Sequence, residues 1–103
     1  DPWFSASLSS PWLGAAQGVR ACTLRAGGCY QPFAGGWLVQ SSAGAFGMPA
    51  AVRDTWLNWG RELGTLGYPT SGPSQPPSTG SYIQTFQGGT VTVTGGVPVV
   101  TVP

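Results

Sequence analysis

The chain has no histidine and no lysine, and charged residues fill only 7% of its 103 positions. Without histidine a Ser–His or Cys–His nucleophilic pair cannot be built, and a zinc shell lacks its usual nitrogen ligand. The carboxylates are three, Asp1, Asp54 and Glu62. Asp1 is terminal, and Asp54 and Glu62 face different directions on the helix expected around them. The converging pair that glycoside hydrolysis uses is therefore missing. Arg20, Arg25, Arg53 and Arg61 are too few and too scattered for the basic stripe that nucleic acid or an anionic membrane surface requires. No apolar run approaches the ~20 residues that span a bilayer, and no glycine loop is followed by the lysine that would hold a phosphate. These absences point away from an enzyme, from nucleic acid and from membrane insertion, and call for no cofactor and no metal.

What is present is glycine, proline and aromatic residues: 17 Gly, 10 Pro and 12% aromatics, five of them Trp. That composition suits short elements joined by tight turns in one small domain. The chain opens at Asp1 rather than at Met and has no charged-then-apolar leader. It is expected to be a mature or excised product whose signal peptide, if it had one, is gone. Cys22 and Cys29 enclose six residues that include Gly27-Gly28. Such a loop can bring the sulfurs together, so a disulfide in an oxidising compartment is the leading reading, with two unpaired buried thiols as the alternative.

The strongest pattern is a self-match at an offset of 53 residues without a gap. Asp1-Pro2-Trp3 aligns with Asp54-Thr55-Trp56, Leu13-Gly14 with Leu66-Gly67, Gln31 with Gln84, Phe33 with Phe86, and Gly35-Gly36 with Gly88-Gly89. The expected architecture is α+β: a single domain, 1–103, of two tandem units of ~53 residues (1–53 and 54–103), each a short helix, a proline turn and a β-hairpin. A helix is expected from Pro49, with Val52, Trp56, Trp59 and Leu63 on one face and Gly64 as its stop. Its counterpart would be Asp1 to about Ser9. Hairpins are expected at Cys29–Phe33 with Trp37–Ser41, and at Ser81–Phe86 with Thr90–Thr94, followed by a strand at Val99–Val102.

These residues carry a resemblance. Leu66-Gly67-Tyr68-Pro69-Thr70-Ser71 resembles the signature of the LGFP repeat. Gln31-Pro32-Phe33-Ala34-Gly35-Gly36 and Gln84-Thr85-Phe86-Gln87-Gly88-Gly89 look like that family's Gln-x-Phe-x-Gly-Gly stretch, and Val52-Arg53-Asp54-Thr55-Trp56 is similar to its helix motif. The first unit departs from the signature at Leu13-Gly14-Ala15-Ala16, where the aromatic and the proline are missing. The resemblance implies a secreted, cell-wall-associated module of actinobacteria that binds wall polysaccharide such as arabinogalactan and anchors a protein there. The alternative is a structural or interaction subunit that docks on a protein partner, on further repeats or on itself through exposed aromatics and an edge strand.

Comparison of the two units sorts the aromatics. A buried position is expected to hold similar bulk in both. Trp3 with Trp56 and Phe33 with Phe86 are accordingly assigned to the core, as are Tyr30 and its counterpart Ile83. Trp37 falls on Thr90, Trp12 on Thr65, Trp59 on Ala6 and Tyr82 on Cys29. These four unmatched rings are the candidates for stacking on sugar faces, Trp37 first. Gln40 and Arg53, with Gln84 and Asn58, are their candidate hydrogen-bonding companions.

Overall fold

The computed structural model describes residues 10–102. Among these residues the fold is α+β, with one α-helix and two three-stranded antiparallel sheets. The first sheet comprises β1 (Cys29–Phe33), β2 (Gly36–Ser41) and β3 (Gly44–Pro49). Helix α1 follows at Ala50–Asn58, and β4 (Tyr82–Phe86), β5 (Gly89–Thr94) and β6 (Val97–Thr101) form the second sheet. The Cys22–Cys29 disulfide is present. The helix expected near the N-terminus, and Trp3 with it, lie outside the described residues.

The sequence offset reappears in the pairing. Phe33 partners Gly36 and Cys29 partners Gln40 in the first sheet; Phe86 partners Gly89 and Tyr82 partners Val93 in the second. The loops follow the same spacing. Gly35 N–H donates to Leu13 O at 2.8 Å and Gly88 N–H to Leu66 O at 2.9 Å. Gln31 Nε2 donates to Gly18 O at 3.0 Å and Gln84 Nε2 to Ser71 O at 2.9 Å. Each of these glutamines thus ties the segment after the Leu-Gly turn to the first strand of its sheet, satisfying a loop carbonyl that no ladder reaches.

Three expectations need correction. The first hairpin is a three-stranded sheet, because the glycine-rich stretch Gly44–Pro49 pairs with β2 along its whole length. The helix is shorter than its periodicity implied. Pro49 is its N-cap, and the first free donor, Ala50 N–H, is satisfied by Gly35 O at 3.0 Å. At the other end Gly60 takes a left-handed φ of 91° and stops it. Leu63 consequently stands 67% exposed. The last strand begins at Val97 rather than Val99, because Gly95-Gly96 closes a tight turn with positive φ at both residues.

Helix α1 lies against both sheets and shares one core with them. Val52 and Trp56 from the helix pack with Val39 and Met48 of the first sheet and with Tyr82, Phe86, Val91 and Val93 of the second. Trp56 is completely buried, and its Nε1–H donates to Gly67 O at 2.7 Å. The other face of the first sheet holds a smaller cluster of Leu13 and Leu38, with Trp12, Phe33 and Ala45 around it. The second sheet leaves its other face open: Ile83, Val97 and Val99 are 46%, 62% and 57% exposed. Ile83, expected to pack like Tyr30, therefore points away from the core.

Candidate functional site

Strand alternation decides where each candidate residue points. In β2, Trp37 and Val39 face the helix, while Leu38 and Gln40 face the opposite way. Trp37 is half-buried, stacked on Tyr30 with ring centroids 4.6 Å apart and meeting Trp56 edge-on at 6.4 Å. The three rings form a ladder from the rim of the core to its centre, so Trp37 is largely committed to packing. Trp12 is half-buried on the far face of the sheet, against Leu13 and Leu38. Gln40 shares that far face, where its Oε1 accepts from Arg20. The expected companions Trp37 and Gln40 are thus separated by the thickness of the sheet.

The remaining candidates are also dispersed. Trp59 caps the C-terminus of α1 and is 41% exposed, the most accessible tryptophan among the described residues. Asn58 beside it is exposed. Arg53 donates from Nε to Asp54 Oδ1 at 3.0 Å. Tyr82 is only 6% exposed and belongs to the core, because β4 turns its even-numbered residues toward the helix. It cannot meet a ligand at the surface, and the expectation that it would is corrected. Gln84, on the same face, is completely buried; its Nε2 donates to Ser71 O and to Gly47 O, each at 2.9 Å. It joins the two sheets and has no access to solvent.

The two carboxylates among the described residues, Asp54 and Glu62, do not converge. Asp54 is exposed beside Arg53, while Glu62 is buried, with its side chain 3% exposed. Glu62 Oε2 accepts the Arg25 N–H at 3.0 Å, and Arg61 Nε lies 3.6 Å from Oε1. Tyr68 completes this group by donating its hydroxyl to Arg25 O. Burial, and secondarily the charge of Glu62, push the Tyr68 phenol above its ordinary pKa, with Arg25 opposing. This cluster holds the disulfide loop against the segment that follows α1. Among the described residues no helix is long and apolar enough to cross a membrane.

Sequence reasoning missed the threonines. Thr85, Thr90 and Thr101 are Cα partners across β4, β5 and β6, on the open face of the second sheet. The alternation Thr90-Val91-Thr92-Val93-Thr94 is a period-2 signal for a strand with one hydroxyl-bearing face. What it could not reveal is which face is open.

A family model described as LGFP repeat matches residues 13–64, half of the chain. The match starts at the Leu13-Gly14 turn, takes in all of the first sheet and α1, and ends at Gly64. A search of curated proteins returned no match.

Proposed function

Since the chain belongs to the LGFP repeat family, which is cell-wall associated and non-catalytic, we propose that it is a secreted envelope module that binds wall polysaccharide and holds a protein on the wall. Family membership carries this reading. The near absence of charge supports a neutral glycan of the arabinogalactan kind, because a charged polymer would need counter-charges that the chain does not offer. Trp59 is the most accessible ring among the described residues; Trp37 and Trp12 are largely committed to packing, Gln40 is bonded to Arg20 and Arg53 to Asp54.

We read the two sheets as two copies of one unit within a single domain, on the strength of their shared register and loop bonds. A boundary between residues 53 and 54 would cut through α1, so the second copy is better counted from the Leu66-Gly67 turn, the counterpart of Leu13-Gly14. A second reading, docking on a partner protein, rests on the exposed Val97 and Val99 of edge strand β6. Co-sedimentation with purified arabinogalactan and, separately, with peptidoglycan tests the first reading. Retention of the folded chain on either polymer is expected. A chain that stays in the supernatant with both, yet runs above monomer mass in solution, would favour the second.

A further inference from the structure

We infer that a row of threonines across the open face of the second sheet is the site that contacts the glycan, and that it takes an uncharged, polyhydroxylated chain. This rests on the wall-polysaccharide reading and gives that reading a location. Thr85, Thr90 and Thr101 stand side by side on one face, one per strand. Thr70 extends the row: its N–H donates to Thr85 O at 2.8 Å and its Oγ1 lies 2.8 Å from Thr85 Oγ1. With strands ~4.8 Å apart, four threonines cover about 14 Å, enough to run beneath more than one sugar ring.

The row opens into a hollow of about 490 Å³ lined by Thr85, Thr90, Thr101, Phe86, Val102 and the Gly88-Gly89 backbone, with Gln87 beside them. The first sheet differs at the registered positions. It carries Pro32, Trp37 and Met48 there, and Trp37 and Met48 pack toward α1. The second sheet turns the opposite face of this register toward α1, so its three threonines point away from the core.

The chemistry of the lining selects the ligand. No charged side chain lines the hollow, so a phosphate or uronate entering it would have no counter-charge. Each threonine offers a hydroxyl and a methyl from one stiff Cβ, which suits the alternating O–H and C–H of a sugar face. The Thr90 and Thr101 hydroxyls form no hydrogen bond with the described residues, so both remain available as donor and acceptor. Thr85 Oγ1, by contrast, is tied to Thr70 and to Ser71 Oγ at 2.9 Å. That bonding holds one end of the row in place before a ligand arrives, which lowers the ordering cost of binding.

The test is retention on immobilised arabinogalactan, with peptidoglycan as a parallel matrix. It compares the intact chain, Thr90→Val/Thr101→Val, Thr90→Trp and Thr90→Ser. The valine pair keeps the shape and removes two hydroxyls, so arabinogalactan affinity should fall about tenfold or more. Thr90→Trp should abolish retention by filling the hollow with an indole ring, and Thr90→Ser should retain binding. All four should melt within a few degrees of one another, because the face is exposed. Valine and tryptophan variants that bind like the intact chain would overturn this site while leaving the wall-polysaccharide function standing, with Trp59→Ala the next variant to measure. An intact chain that binds neither polymer would overturn both.

Discussion

The backbone N–H of Arg25 donates to Oε2 of Glu62 across 37 positions of sequence, at 3.0 Å. Through this bond and the Tyr68 hydroxyl on Arg25 O, the segment after α1 grips the disulfide loop by both the N–H and the C=O of one residue. A carboxylate in an otherwise charge-poor chain thereby joins the disulfide loop to the segment after α1.

Glu62→Ala should therefore cost stability without touching the exposed sheet face. It leaves the Arg25 N–H without its acceptor, at about 1–3 kcal/mol. A urea titration reads this directly: a lower midpoint with an unchanged slope is expected. A midpoint equal to that of the intact chain would mean the bond contributes nothing net.

The disulfide closes a short loop, with a sequence separation of 7. Replacing both cysteines by serine should destabilise the chain by about 2–3 kcal/mol through the freedom returned to the unfolded state. Calorimetry with and without reductant checks this. The reduced chain and the double-serine variant should melt at similar temperatures, both below the oxidised chain.

Gly88 lies so close to the Thr65 carbonyl that an added Cβ would collide with backbone, and Gly35 is placed the same way against Trp12 O. Alanine at either site must push the Leu-Gly turn off the hairpin, and a loss of at least 1 kcal/mol is expected. Gly72→Ala is the control, since nothing lies within 4 Å of its added methyl. Equal melting temperatures for Gly88→Ala and Gly72→Ala would refute the close-approach argument.

The phenols of Tyr68 and Tyr82 both have pKa values raised above the ordinary tyrosine value, each chiefly by burial. A raised folded pKa means that the folded state holds its proton more tightly than the unfolded state does. The stability this represents is fully present below about pH 10 and is lost as pH climbs through the raised values. Melting temperature should hold steady from neutrality to mildly alkaline pH and then fall. In Tyr68→Phe the alkaline fall should be shallower, though not absent, because Tyr82 remains. Curves of identical slope would remove Tyr68 from this account.

Much of the fold was legible before the structure. The Gly35-Gly36 and Gly88-Gly89 turns, flanked by Phe33 and Phe86, marked both hairpins, and Val52 with Trp56 marked the buried stripe of α1. The strand β3 was missed because Gly44, Gly47 and Pro49 weaken every local strand signal, and pairing with β2 overrides them. The helix was drawn too long because Trp59 and Leu63 continue its periodicity past Gly60, whose backbone conformation ends it.

The comparison of the two units misplaced Tyr82 and Ile83 for a single geometric reason. It assumed that positions 53 residues apart share an environment. The two sheets instead turn opposite faces of the same register toward α1: Trp37 and Met48 face inward, while Thr90 and Thr101 face solvent.

The sequence by itself determined which side chains this chain has to work with, the spacing of its two hairpins and its kinship, because residue inventory, turn glycines and motif order are local properties. Only the tertiary structure decided which face of each sheet is buried, that Tyr82 is core and Trp59 is surface, and that threonines line the open hollow. Strand alternation specifies two faces but not which one meets the core; that choice is made by packing against a single helix shared between the sheets.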